Sequence, residues 1–171
     1  MGLATDLGYE HSSANPAQRL VRWVAGTRPG GWAFAHSLRH LDDVVGRPSR
    51  GRHSAPGLLA GLAVLEVTTT GRRSGRPRTS HLIATPYGDS LALLGTNFGQ
   101  ASTPAWVLNL EADPHALVTY RGRTREVTAR AATPRETAEV FALAGRFYPG
   151  YLSYRERVGT SRRIRAFVLD A

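Results

Sequence analysis

The sequence predicts an α+β fold in which a small antiparallel β-barrel is capped by helices. Three observations predict it. Strand-length segments crowd the second half of the chain, glycine turns join several of them, and two helical stretches with start signals interrupt the series. The strands expected, five or six, lie at 62–70, 79–86, 90–96, 116–121, 124–131 and 163–169. Tyr87-Gly88-Asp89 and Arg121-Gly122-Arg123 supply hairpin turns. A hairpin-rich sheet of this size that bends and closes on itself is a barrel, and the two insertions cap its ends.

In chain order, a polar tail to about Ala14 is expected to fray. Asn15-Pro16 then offers an N-cap followed by proline at the first helical position, before a short helix at 17–25. Trp32, Phe34, Leu38 and Leu41 recur at helical spacing through 32–45, and the Pro- and Arg-rich stretch 46–57 is a linker. The chain thus divides into a helical N-terminal extension with its linker, 1–57, and a barrel domain, 58–171. Thr103-Pro104 marks the start of a helix that Asp113-Pro114 ends. Thr133-Pro134-Arg135-Glu136 is a capping box for a helix from 134 to about 146.

Composition bounds the function. With 171 residues, 42% of them apolar, the chain has material for one core and is not a disordered protein. Residues 1–13 lack an apolar centre and the longest apolar run, 58–65, is too short to span a bilayer, so a soluble, cytoplasmic protein is expected. The formal charge is +9, and every one of the 22 non-histidine cations is arginine. They are spread from Arg19 to Arg165, which suits a general field attracting anions better than a nucleic-acid stripe. The absence of cysteine removes disulfides, thiolate metal sites and cysteine nucleophiles. His36 and His40 stand four apart on one expected helix without a third ligand, and no Ser/His/Asp set or paired carboxylates emerge.

Three stretches carry chemistry. In Thr68-Thr69-Thr70-Gly71-Arg72-Arg73-Ser74-Gly75-Arg76-Pro77-Arg78 a β-branched run breaks into a glycine-bounded turn with four arginines, an anion cradle at a hairpin tip. A solvated basic hairpin is the plainer reading. In Gly95-Thr96-Asn97-Phe98-Gly99-Gln100 through Pro104-Ala105-Trp106 to Asn109, a polar loop feeds a helix N-terminus, whose unpaired N–H groups suit the carbonyls of a flat heterocycle. Trp106 as a core anchor and Asn109 as a cap to a neighbouring loop would explain the same residues. Tyr148, Tyr151 and Tyr154 recur at spacing three around Pro149, giving either aromatic walls with phenol donors for a planar substrate or a half-buried patch over the barrel end.

In order and spacing these three stretches resemble the deazaflavin-dependent nitroreductase family, split-barrel oxidoreductases that use coenzyme F420 and include quinone reductases. The resemblance covers about 65–169. It implies a split β-barrel in which Thr69, Thr70, Gly71, Arg72, Arg73, Ser74, Gly75 and Arg78 hold the phosphate and oligoglutamate tail. By the same resemblance Asn97, Phe98, Gly99, Gln100, Pro104, Ala105, Trp106 and Asn109 surround the deazaflavin ring. Tyr148, Tyr151 and Tyr154 would then face the substrate, with Tyr151 first, and Thr96, hydrogen-bonding the acceptor during hydride transfer. Arg73 stands where the family usually has lysine, and Phe98 where a small residue is common, which bears on the substrate more than the cofactor. In some members the N-terminal segment contacts the membrane, so the partners implied are a quinone, nitroaromatic or enone acceptor and, peripherally, a membrane. Two alternatives stay open: a basic barrel binding single-stranded nucleic acid, and a split barrel holding FMN by its phosphate. Monomer and dimer are equally open.

Overall fold

The computed structural model describes residues 2–11, 15–27, 29 and 61–171. The expected helix at 32–45, the linker at 46–57, the His36/His40 pair and the domain boundary at 57/58 lie outside the described residues. Seven strands make one antiparallel sheet: β1 (Leu65–Thr70), β2 (Pro77–Leu82), β3 (Thr85–Tyr87), β4 (Ser90–Leu94), β5 (His115–Tyr120), β6 (Arg123–Ala131) and β7 (Ala166–Asp170). Their spatial order is β2-β1-β5-β6-β7-β4-β3. Among the described residues the α-helices are α1 (Leu3–Leu7), α2 (Pro16–Gly26), α3 (Ala105–Ala112), α4 (Pro134–Phe147) and α5 (Gly150–Val158).

The order of the strands dictates the shape. β2 and β3 are the two edges of the sheet, yet only Ile83 and Ala84 separate them along the chain. From Leu82 to Thr85 the backbone reaches about 11 Å at full stretch, so the edges must lie side by side. The sheet is therefore curled into a barrel that is split between β2 and β3. The single strand expected at 79–86 is thus two strands and a crossing, with no glycine or proline at the break to reveal it.

A split leaves ladder groups without partners, and buried backbone groups left unpaired are costly. Side chains supply the partners here. The buried Tyr9 hydroxyl donates to the Ala63 carbonyl at 2.7 Å and accepts the Ala84 N–H at 2.9 Å. The Ala63 N–H reaches Nδ1 of His11 at 3.3 Å, which makes Nδ1 the acceptor, so Nε2 carries the proton and donates to the Ala84 carbonyl at 2.8 Å. Tyr151 on α5 donates to the Ile83 carbonyl at 3.1 Å. Residues 2–11 of the tail expected to fray are accordingly ordered: α1 caps the barrel, and Leu3, Leu7 and Tyr9 join its core. Leu3 and Leu7 sit four apart on one helical face, and each contributes about 1.5–3 kcal/mol by leaving water.

Two apolar clusters share the sheet. Inside the barrel, Leu65 and Val67 of β1, Leu91 and Leu93 of β4, Val118 of β5 and Phe167 and Leu169 of β7 pack with Trp106 and Leu110 of α3. Outside it, Ala92 and Leu94 of β4 and Ala166 of β7 pack against Val140, Phe141 and Ala144 of α4 and the tyrosines of α5. β4 and β7 are therefore buried on both faces, which is why 91–94 and 166–169 are unbroken apolar runs rather than alternating ones. β6, with its outward face in solvent, alternates from Glu126 to Arg130.

Capping starts the outer helices where the sequence places them. Thr133 accepts the Glu136 N–H at 3.2 Å while Glu136 accepts the Thr133 N–H at 2.8 Å. Arg130 and this N–H together hold the Glu136 carboxyl down at about 2. Asn15 and Gln18 make the same reciprocal pair ahead of α2.

Burial lowers the pKa of His11 from its ordinary 6.5, because its charged form is desolvated and Arg22 lies near. The unfolded chain then binds the extra proton first, so the stability His11 gives is complete above pH 6.5 and is lost as pH falls below it. Melting temperature should drop between pH 7.5 and pH 5.5, a window in which the lowered Glu136, Glu139 and Asp113 carboxyls stay ionised. His11→Gln, which can keep both hydrogen bonds without titrating, should flatten that slope; an equal slope in both proteins would place the titration elsewhere.

Candidate functional site

The arginine turn closes on itself. Gly71 N–H donates to the Arg76 carbonyl at 2.8 Å, Ser74 and Gly75 N–H to the Gly71 carbonyl at 3.0 and 2.8 Å, and Arg76 N–H to Ser74 Oγ at 3.3 Å. Arg72 N–H goes to Oδ1 of Asn109 at 3.1 Å. These N–H groups therefore do not converge on an open point, as a backbone cradle would require. Gly75 adopts φ +64°, which the turn needs, and a Cβ on Gly71 would fall 2.8 Å from Ser74 Oγ. Anion affinity at this tip belongs instead to the exposed guanidinium groups of Arg72, Arg73, Arg76 and Arg78, none of which forms an ion pair among the described residues.

Asn109 is the tie between tip and helix. It is buried on α3, accepts from Arg72 N–H and donates through Nδ2 to the Thr69 hydroxyl at 3.0 Å. This is the cap to a neighbouring loop left open on sequence grounds. Trp106, also buried, meets Phe167 edge-on with centroids 6.1 Å apart, so it anchors the barrel core while one side of it faces a cavity.

That cavity, about 300 Å³, lies at the split. One wall is 80–83, the end of β2 and the start of the crossing. Thr96, Asn97 and Phe98 form a second wall with Pro104 and Trp106, and Tyr148, Tyr151 and Tyr154 a third. The tyrosines are buried rather than presented: the Tyr148 and Tyr154 hydroxyls share a hydrogen bond at 2.6 Å, and Tyr151 gives its proton to Ile83. The expectation that Tyr151 is the first donor to an acceptor therefore conflicts with its bond across the split. Burial pushes all three phenols above their ordinary pKa, so they are neutral at physiological pH.

Thr96 differs. Its hydroxyl has no hydrogen bond among the described residues, yet no buried side-chain polar atom there is unsatisfied, so the oxygen opens onto the cavity. Residues 97–99 run through positive φ, 47° at Asn97, 54° at Phe98 and 77° at Gly99, and Phe98 leans edge-on to Tyr154. Ala105 and Gln100 flank the cavity without lining it. No side chain caps α3 at its N-terminus.

One strand links cavity and tip. The register pairs Leu65 with Leu82, Val67 with Ser80 and Thr69 with Arg78. Since Leu65, Val67 and Thr69 are buried, their partners project to the same face. Arg78 stands two residues from Ser80, about 7 Å along the strand, so a ligand lying in the cavity can follow β2 to the arginines. A wider depression of about 600 Å³ beyond Thr68, Thr70 and Leu117 is an open patch of the outer sheet face without an aromatic wall. Tyr9, His11 and Arg162, discussed below, are the residues of this region that motif reading missed; only their partners across the fold reveal them.

A split barrel whose aromatic-walled cavity leads along a strand to exposed arginines has room and charge for a flat ring carrying an anionic tail. Comparison gives the family. The sequence pattern of the F420H2-dependent quinone reductase family matches residues 44–171, and the chain belongs to that family. An F420H2-dependent quinone reductase of Mycobacterium tuberculosis is 29% identical over 146 residues, covering 81% of this chain and 95% of the relative. The solved structure of an F420-H2 dependent reductase, FDR-A, superposes with a TM-score of 0.57 at 27% identity over 63% of this chain and 94% of that one. A second structure, described as a domain-swapped dimer, shares the fold with a TM-score of 0.58 at 24% identity over 83% of this chain and 99% of that one. The family's cofactor is coenzyme F420, and the nucleic-acid and FMN alternatives give way to it.

The donors present fit that cofactor. Four exposed guanidinium groups exceed what one phosphate needs and suit a polyanionic tail, while the cavity offers aromatic walls and few polar groups to a ring. Asn109→Ala should strand the Arg72 N–H and cost about 1–3 kcal/mol. Denaturant unfolding together with a titration of F420 fluorescence should show both lower stability and weaker binding; unchanged affinity would mean that the tip needs no such tie.

Proposed function

We propose that the chain reduces quinones with F420H2, holding the cofactor's ring in the cavity at the split and its tail on the arginine tip. The inward face of β2, which carries Ser80 and Leu82 beside the cavity and Arg78 toward the tip, is the observation that carries this reading. Arg72, Arg73 and Arg78 hold the tail, and Thr69, Thr70, Gly71, Ser74 and Gly75 shape the turn that presents them. Asn97, Phe98, Pro104 and Trp106 face the ring, with Gly99, Gln100, Ala105 and Asn109 behind them.

When bound, F420H2 supplies a hydride from C5 of its deazaflavin ring in one two-electron step. The chain orients the acceptor and excludes water. Neutral Tyr148, Tyr151 and Tyr154 form a wall that does not repel the negative charge developing on a quinone oxygen. The Thr96 hydroxyl, open to the cavity, donates to that oxygen. Tyr151 serves the same chemistry indirectly, by holding the wall to the crossing through Ile83.

Thr96→Val should lower kcat about tenfold or more with little loss of stability, since it removes a donor that no protein group shares. Tyr151→Phe should cost about 1 kcal/mol of stability, the usual worth of one hydrogen bond, with a smaller effect on turnover. Steady-state rates with a soluble quinone and melts of both variants decide it: a kcat loss larger in Tyr151→Phe than in Thr96→Val would return the donor role to Tyr151.

A membrane contact suits a reductase of apolar quinones. No helix among the described residues is long and apolar enough to cross a membrane. On α2, however, Leu20, Trp23 and Val24 are 61%, 69% and 40% exposed at helical spacing, beside an exposed Arg19. This face rests on the cytoplasmic membrane surface. Wild-type protein should sediment with anionic vesicles, and Trp23→Ser should reduce that fraction; equal sedimentation would remove α2 from the contact.

A further inference from the structure

The loop that walls the cavity is held in an unfavourable shape. Asn97 and Phe98 both take positive φ without being glycine, and side chains strain the backbone there. Two backbone bonds, Gly99 N–H to the Thr96 carbonyl and Gln100 N–H to the Asn97 carbonyl, both 2.9 Å, close the turn. Asn97 Nδ2 adds a bond to the Ser102 carbonyl at 3.0 Å. Arg157 Nη1 reaches the Phe98 carbonyl at 3.4 Å, and a further restraint comes from 62–67 residues downstream. The half-buried Arg162 donates from Nη1 to the Gly95 carbonyl at 2.9 Å, from Nη2 to the Thr96 carbonyl at 2.8 Å and from Nε to the Gln100 carbonyl at 3.1 Å. Its planar fork thus spans both ends of the turn, a set of three acceptors that a lysine ammonium does not match. No carboxylate pairs with it among the described residues; the neighbouring Arg165 takes Glu111 at 2.7 Å.

The direction of those carbonyls matters. In a trans peptide the C=O and the next N–H point opposite ways. With the Thr96 carbonyl drawn to Arg162, the Asn97 N–H points away from Arg162, which does not line the cavity, whereas Thr96, Asn97 and Phe98 do. Neither the Asn97 nor the Phe98 N–H has a partner among the described residues. Thr96 in the right-handed region followed by Asn97 at positive φ is the arrangement in which successive N–H groups form a concave donor set.

We propose that Arg162 is a positioning residue for the reaction: its three-carbonyl clamp fixes the 95–100 loop so that the Asn97 and Phe98 N–H groups and the Thr96 hydroxyl stay aimed at the ligand in the cavity. The proposal rests on the cavity being the ring site. Arg162 touches neither cofactor nor acceptor; it acts through the loop, and its uncompensated charge polarises the peptides whose N–H ends face the ligand.

The test uses the full chain with Arg162→Gln and Arg162→Lys. Amide hydrogen exchange in ligand-free protein reads the clamp itself: at Gly99 and Gln100 it should accelerate about tenfold or more in Arg162→Gln, the factor expected from one lost charge-assisted bond. Arg162→Lys should fall between Arg162→Gln and wild type. In turnover, kcat should fall about tenfold or more in Arg162→Gln while F420 fluorescence titration at low salt still saturates, because the arginine tip is untouched. Unchanged exchange at Gly99 and Gln100, or full recovery of kcat in Arg162→Lys, would overturn the clamp. If Arg162→Gln fails to fold, the same exchange measurement on Arg162→Lys decides. Failure of wild type to bind F420 at all would overturn the reading of the site, and is separable because the exchange experiment contains no cofactor.

Discussion

The fold turns on the two-residue crossing at Ile83 and Ala84 between the outer strands of the sheet. So short a link forces the sheet to curl, and curling creates both an interior to fill and a seam where hydrogen bonding stops. Filling the interior falls to Leu65, Val67, Leu93, Phe167 and Trp106; satisfying the seam falls to Tyr9, His11 and Tyr151. The cavity is a product of the same constraint, since Ile83 lies in its wall and the ladder that would have closed it is missing. A side chain here can hardly serve the pocket without also serving the barrel.

Placement of the reactive loop follows from burial. β4 is packed on both faces, by the barrel interior and by α4 and α5, so its end at Leu94 is a fixed platform from which the loop departs. Gly95 then passes so close to α3 and to the chain entering β7 that a Cβ would lie 2.8 Å from Val107 and 3.0 Å from the Arg165 carbonyl. Gly99 packs somewhat less tightly on Arg157 and Tyr154 of α5, where a Cβ would lie 3.2 and 3.4 Å away. Three elements thus meet on one short loop, which is how a segment of irregular backbone acquires the precision usually found in strands.

Local chemistry was legible in the sequence where it is decided locally. The reciprocal caps of α2 and α4, the hairpin turns at Gly88 and Gly122, and the proline and aspartate that bound α3 all stand within a residue or two of their expected places. What depended on distant partners was not legible. Leu3 and Leu7 offer a single helical turn among polar neighbours, and only the barrel mouth explains their burial. Ser80 to Thr85 reads as one strand because both flanking halves are strand; the break is a property of the closed sheet. Around the cavity and the arginine tip, the structure engages several polar atoms of the motif stretches differently from the motif reading. Most backbone N–H groups of the arginine turn are already bonded within it or to Asn109, Asn109 ties the turn to α3, and Tyr151 donates its hydroxyl hydrogen across the seam. Spacing reveals which residues share a surface, and it does not reveal which of their polar atoms a fold has already claimed.

The closed arginine turn also has a kinetic side. With most of its N–H groups already bonded, the tip offers an anion chiefly its exposed guanidinium groups, and such charges reach out about 8 Å at physiological ionic strength before salt screens them. Charges of this kind hasten encounter more than they delay departure. Under the proposed function, a tail held there arrives quickly and leaves quickly, and the residence time is set by the ring. On that reading the chain exchanges its electron carrier with the surrounding pool rather than keeping one copy for life.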